Sequence, residues 1–259
     1  MLFSLSRNVT YYIHCFFDEY LPPTIRDRKW FMWLPFKLLF GKKAKIFLSF
    51  KKKAPYLTNA EFCNIYKDAQ SVFISRASDL TELSITELEK YIIGPRVLDI
   101  ACGKGFLAGQ LASKYDVTAA DIVISARQKI KYSRVSWLAA NIENLPFIDQ
   151  QFDTVICTHT LEHVMNIKQA INELRRVSRQ RLLIIVPKQR PYSYTFDLHL
   201  HFFPYPSALM MLMKDNHSGV CEVLKGDLFY RETTNGSWDG NLPLGDKNDE
   251  LNQSQQHCA

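Results

Sequence analysis

Apolar positions change their period along this chain, and the changes divide it. Residues 97–100 (VLDI), 117–120 (VTAA), 136–139 (SWLA), 154–157 (TVIC) and 181–187 (RLLIIVP) are short apolar runs of strand length. Between them the period turns helical. Residues 106–115 and 124–132 predict helices, and Ile167, Ala170, Ile171, Leu174 and Val177 recur on one helical face. A regular strand-helix alternation predicts an α/β domain with a mostly parallel sheet covered on both faces.

The pattern differs on either side of that alternation. Thr58-x-x-Glu61 has the capping-box spacing and opens a predicted helix reaching about residue 77. Ser84-x-x-Glu87 opens another, which ends before Gly94-Pro95. Residues 56–94 therefore read as a helical cap ahead of a core over 95–232. After 187 come an aromatic loop, a Met-rich helix over 207–214, and two strands, 220–224 and 227–231, joined at Lys225-Gly226 as an antiparallel hairpin at the sheet edge. Residues 233–259, rich in Gly, Asn, Asp and Gln with few apolar anchors, read as a disordered tail.

Charge changes the picture at the N-terminus. The 259 residues carry a net +6, but residues 1–53 hold eleven Lys and Arg against three acids, a net of +8, which leaves −2 for the remainder. Within residues 1–55 the stretch WFMWLPFKLLFGKKAKIFLSFKKK interleaves aromatic and aliphatic side chains with lysines. Three readings stay open: peripheral contact with an anionic membrane, binding of nucleic-acid phosphates, or a cap packing its apolar side on the core. Pro22, Pro23 and Pro35 are expected to break the segment into short pieces.

Other features exclude classes. The apolar run over 30–40 is interrupted by Lys37 and too short to span a bilayer. No signal-peptide pattern is visible at residues 1–17. Six scattered cysteines with no C-x-x-C pair suit a reducing compartment, so a cytoplasmic location is expected.

The chemistry concentrates after the first strand. In DIACGKGFLA, Gly103-x-Gly105-x-x-Ala108 has the spacing of a loop that brings backbone close to a cofactor. A dinucleotide would meet Asp99 as a like charge beside its diphosphate. A cationic cofactor reverses the sign: the carboxylate pairs with an ammonium or solvates a sulfonium while loop N–H groups take a carboxylate. S-Adenosylmethionine has all three groups. Asp121, ending the second strand, is placed for the ribose hydroxyls, and Asn141 for the adenine edge, with Ile142 and Leu145 as apolar contacts.

Taken in order, VLDIACGKGFLA, VTAADI, ANIENLPF and FDTVICTHTLEHV resemble the successive motifs of class I S-adenosylmethionine-dependent methyltransferases of the type 11 kind, over about residues 95–187. The resemblance implies a Rossmann-like, doubly wound, mostly parallel seven-stranded sheet with a C-terminal antiparallel hairpin, preceded here by an N-terminal helical extension. It assigns Asp99, Ala101, Gly103 and Gly105 to the methionine end of the cofactor, Asp121 to the ribose, and Asn141 and Ile142 to the adenine, and it includes Ile122 among the cofactor-binding residues. Ala101 stands where Gly is more usual, a change tolerable at negative φ. Asn141 replaces the usual Asp but keeps an acceptor oxygen for the adenine amino group. Arg76 is a further candidate for the cofactor carboxylate.

On the acceptor side, His163 and His159 are candidate bases for removing a hydroxyl proton, with Glu162 between them and His199 and His201 as contributors from the later loop. LEHV is similar to a run in ubiquinone-pathway O-methyltransferases that is associated with a divalent cation, but His159 replaces its first Glu, and no metal is assigned. No D/N-P-P-Y/F follows the fourth strand, so a nucleic-acid acceptor is not expected. The expected activity is O-methylation of a small molecule, sugar or lipid-linked precursor. The alternative is a non-catalytic module of the same fold that binds a membrane or protein partner through its basic N-terminus.

Overall fold

The computed structural model describes residues 12–13, 15–70, 77–214 and 219–234. Its centre is a seven-stranded sheet in the order β3-β2-β1-β4-β5-β7-β6, formed by β1 (Arg96–Ile100), β2 (Asp116–Asp121), β3 (Ser136–Ala139), β4 (Phe152–Thr158), β5 (Ser178–Pro187), β6 (Gly219–Leu224) and β7 (Asp227–Thr233). The first five strands are parallel, with Ile100 level with Ala120 on one side and with Cys157 on the other. The predicted hairpin forms, and β7 inserts antiparallel between β5 and β6, pairing Ile185 with Phe229.

Burial on both faces explains why β4 and β5 read as unbroken apolar runs. One face packs Leu98, Val155, Leu182 and Ile184 against Ile171 and Leu174 of the helix Ile167–Val177. The other packs Val97, Ile156, Leu183 and Phe229 against Leu107 and Leu111 of the helix Phe106–Leu111 and Leu88 of the helix Glu82–Glu89.

In chain order the helices are α1 (Pro23–Arg26), α2 (Lys29–Phe40), α3 (Ala44–Lys53), α4 (Asn59–Gln70), α5 (Glu82–Glu89), α6 (Phe106–Leu111), α7 (Ala126–Lys131), α8 (Ile167–Val177) and α9 (Pro206–Met213). The Thr58–Glu61 capping box is present: Glu61 Oε2 accepts from the Thr58 N–H at 2.9 Å, and Thr58 Oγ1 from the Glu61 N–H at 3.3 Å. The second helix starts earlier than its sequence signal. Thr81 is the N-cap and accepts from the Ser84 N–H, so Ser84 lies inside the first turn.

Pro35 does not end α2, contrary to expectation. It removes one backbone donor, at a cost of about 3 kcal/mol, but Met32 and Phe36 beside it are fully buried. Phe36 stacks on Phe196 at 4.7 Å, and Phe47 of α3 joins the same cluster. This third apolar cluster ties the N-terminal helices to the loop that follows β5, through Tyr194, Phe196 and Leu198. Polar contacts reinforce it: Arg26 donates to the Pro191 carbonyl, Lys51 to the Tyr192 carbonyl, and Asp27 accepts from the Ser193 N–H. The reading of a packed cap thus holds for one side of these helices. No described helix is long and apolar enough to cross a membrane. The predicted tail lies outside the described residues from 235 onward.

Candidate active site

Parallel strands present all their carboxyl ends at one edge, and in the order above β1 and β4 flank the point where successive connections diverge. The loop after β1 and the loop after β4 leave this edge side by side. The first turns over residues 101–105 before α6. Gly103 and Gly105 have φ of +53° and +73°, and the Gly105 N–H donates to the Cys102 carbonyl at 2.8 Å. Ala101 also has a positive φ, +57°. The negative φ that made alanine tolerable here is not kept, so Ala101 holds a conformation that disfavours a side chain. Ala101→Gly is expected to raise stability by about 0.5–1 kcal/mol, the left-handed penalty less the extra chain entropy of glycine; urea denaturation checks this.

Two carboxylates bracket the loop. Asp121 Oδ2 accepts from the Gly103 N–H at 2.9 Å and Oδ1 from the Val123 N–H at 3.2 Å, so the end of β2 fixes the turn of its neighbour. Asp99, expected at the loop mouth, lies beneath it with 1% of its surface exposed. Burial raises its pKa to about 7, against the steadying Ala108 backbone N–H. Its Oδ2 has no hydrogen-bond partner among the described residues. An acceptor buried in this way calls for a donor, and a cofactor ammonium, direct or through water, supplies one. A Cβ built on Gly103 would meet nothing within 4 Å, so its outer side is open. These features fit S-adenosylmethionine: an open backbone cradle, an unsatisfied carboxylate on one side and a second carboxylate at the neighbouring strand end.

The adenine side is less free than its residues suggested. Asn141 Oδ1 accepts from the Glu143 N–H at 3.0 Å and caps its own turn. The acceptor oxygen expected to meet the adenine amino group is thus already engaged, while the amide NH₂ of that side chain can still donate. Ile142 and Leu145 are buried in the core, whereas Ile122 is half-buried beside Asp121. Arg76 lies outside the described residues.

Two supports were missed. The Trp137 ring of β3 lies where a Cβ on Gly105 would project. Gln128 donates to the Gly103 carbonyl while its Oε1 accepts from the Ser125 N–H. Ser125-x-x-Gln128 is a readable capping box, and nothing in a linear sequence ties its Gln to the glycine loop.

Beyond β4 the geometry separates the two histidine candidates. His159 has a φ of +48° and its N–H pairs with the Ile185 carbonyl. Its ring is wedged between carboxylates, Nδ1 3.7 Å from Glu162 Oε1 and Nε2 3.6 Å from Asp227 Oδ1. Burial alone would lower its pKa, but Asp227 and Glu162 outweigh it and raise the value to about 10. An imidazole held protonated between two carboxylates has no lone pair to accept a hydroxyl proton, which favours His163 over His159 as the candidate base. Glu162 is buried as its counter-charge and as the clamp on the later loop, its carbonyl accepting from the Leu200 and His201 N–H groups.

His163 is different. Its side chain is partly exposed, its Nε2 lies 3.9 Å from Glu162 Oε1, and its ring meets His199 edge to face at 4.7 Å. Gln189 donates through Nε2 to the Tyr192 hydroxyl, so its Oε1 faces His199 Nδ1 at 2.6 Å as acceptor. His199 Nδ1 is therefore placed to donate to this oxygen. Glu162, His163 and His199 bring one ligand-capable atom each within 4.8 Å of one another, close enough to hold a divalent ion. His201, by contrast, turns its Nε2 to the Val164 carbonyl. Leu200 and His201, whose N–H groups bond the Glu162 carbonyl, line a cavity of about 450 Å³ together with Ile167, Phe202, Phe203 and Leu212 among others; Glu162, His163 and His199 are not part of that lining.

Comparison with known proteins follows the same boundaries. Residues 98–186 match a family model described as a methyltransferase domain. The 2-phytyl-1,4-naphtoquinone methyltransferase of Trichormus variabilis is 34% identical over 116 residues, 40% of this chain and 51% of that protein. The O-methyltransferase rstn1 of Aspergillus nomiae is 31% identical over 116 residues, 41% of this chain and 52% of that protein. The chain thus spans about half the length of these curated relatives. Among solved structures, the 1,6-didemethyltoxoflavin-N1-methyltransferase of Burkholderia thailandensis, determined with 1,6-didemethyltoxoflavin and S-adenosylhomocysteine bound, shares the fold at a TM-score of 0.53 and 19% identity, over 67% of this chain and 85% of that one.

Proposed function

We propose that this chain, whose residues 98–186 match a family model described as a methyltransferase domain, is an S-adenosylmethionine-dependent methyltransferase that moves the donor's methyl group to an oxygen of an apolar small molecule held near His163. The observation that carries this reading is the open cradle at Gly103, set between the buried Asp99 and the end of β2. Names of relatives support the acceptor class, since one acts on a quinone and another is an O-methyltransferase. The cavity beside His201 and Phe202 has the size of a small-molecule site, and its mostly apolar lining favours an aromatic or aliphatic acceptor over a sugar.

Methyl transfer is a displacement at carbon, so alignment and exclusion of water are most of what the protein must supply. The carbon–oxygen bond forms as the sulfur–carbon bond breaks, and the hydroxyl proton passes to His163, with His199 beside it. Calorimetry with S-adenosylmethionine and S-adenosylhomocysteine tests the first half: micromolar binding is expected, and binding of a nicotinamide dinucleotide instead would overturn it. Transfer of labelled methyl to quinols and simple phenols tests the second.

A pH dependence follows from Asp99. A cationic ligand needs the carboxylate, and its pKa without ligand is near 7. Affinity is expected to fall by up to tenfold per pH unit below about 7, with proton uptake by Asp99 opposing binding. Asp99→Asn should bind more weakly and lose this slope, and an unchanged slope in that variant would remove Asp99 from the site.

A further inference from the structure

We infer that α2 is a docking face for an anionic lipid surface. Trp30, Trp33, Leu34 and Leu38 recur at i, i+3, i+4 and i+8 and are exposed by 73, 51, 56 and 74%. The opposite side of the same helix buries Met32 and Phe36 in the cluster with Phe47 and Phe196. An ordinary surface helix is apolar on one side only. Here the outward side is as apolar as the inward one, and one exposed cation, Lys37, stands among its residues.

Charge identifies the occupant. Residues 20–53 contain ten Lys and Arg and one acid, Asp27, which is engaged by the Ser193 N–H. Lys29, Lys37, Lys42, Lys45, Lys52 and Lys53 are exposed around the apolar strip. Two copies of such a surface repel each other, which disfavours a self-interface. Nucleic acid would engage the lysines and stack on tryptophan, but Leu34 and Leu38 offer it nothing. A bilayer with anionic headgroups takes both: indole and leucine side chains enter the acyl boundary while lysines stay at the phosphates. A helix of 12 residues is about 18 Å long, which fits one lying in the interface and not one crossing it.

The placement bears on substrate. Lys51 lies 4.1 Å over the ring of Phe202, and Arg26 bonds the Pro191 carbonyl; both Phe202 and Pro191 line the apolar cavity. The helices that would rest on lipid are therefore fastened to the wall of the proposed acceptor pocket. Docking itself stands independently of the reaction.

Flotation of the full chain with phosphatidylcholine vesicles containing about one third phosphatidylglycerol tests the inference. The chain is expected to float with these vesicles, to float at least about tenfold less with pure phosphatidylcholine, and to be released at about 0.5 M salt. Tryptophan emission should shift to the blue on binding. Leu38→Glu and Trp33→Glu, both on the exposed side, should abolish flotation while leaving calorimetric cofactor binding intact, so failure here is distinguishable from failure of the methyltransferase reading. Absence of flotation with anionic vesicles, equal flotation of either variant, a concentration-dependent dimer that Leu38→Glu disrupts, or preferential capture of single-stranded RNA would each overturn it.

Discussion

Replacing His159 with alanine is expected to cost about 3–5 kcal/mol of folding stability, the range for breaking a buried ion pair by removing one partner. Two carboxylates depend on this ring: Glu162 and Asp227 are both buried, and His159 lies within 3.7 and 3.6 Å of them. Alanine would take the shared imidazolium from between them and leave a small void in its place. His159→Gln keeps polarity but not charge and should recover little.

The sign of the pH dependence follows from the same contacts. The pKa of His159 is raised from an ordinary value near 6.5 to about 10 in the folded chain. Its stabilising contribution is complete below pH about 6.5 and is lost as pH rises through about 10. Wild-type stability should therefore fall across that window more steeply than that of His159→Gln, as read by urea midpoints at several pH values. If His159→Ala lies within about 1 kcal/mol of wild type at neutral pH, the ring is not the charged link described here.

This assignment marks the limit of what the sequence makes legible. The strand runs and most helices can be read because periodicity is local, and β3 spans Ser136–Ala139 as its apolar pattern indicates. The glycine turn is legible for the same reason. The state of His159 is not, because Asp227 reaches it from the start of β7, near the end of the sheet-forming chain. Likewise, Thr81 and not Ser84 is the N-cap, and Ser84 is buried and turned toward Asp227 at 3.5 Å. Asn141 had the right side chain at the right interval, yet its oxygen closes its own turn. The chemistry of each group is written locally, whereas its partners are set by the topology of the sheet.

A paired substitution in the glycine loop separates architecture from binding. Gly105→Ala forces a side chain into φ +73° and drives its Cβ into the Trp137 ring. The left-handed penalty is about 1–2 kcal/mol and the overpacking about 1–3 kcal/mol, so a stability loss of about 2–5 kcal/mol is expected. Gly103→Ala has the same backbone penalty at φ +53°, but its Cβ meets no protein atom within 4 Å. It should cost only about 1–2 kcal/mol of stability while placing a methyl group in the space assigned to the cofactor. Calorimetry should then show S-adenosylmethionine affinity reduced by at least about tenfold, 1.4 kcal/mol, in a chain that still unfolds cooperatively. Retained affinity in Gly103→Ala would mean that the open side of this turn faces solvent and not the donor. The same result with normal binding in Asp99→Asn would place the cofactor away from this loop, because the two variants probe opposite sides of one cradle.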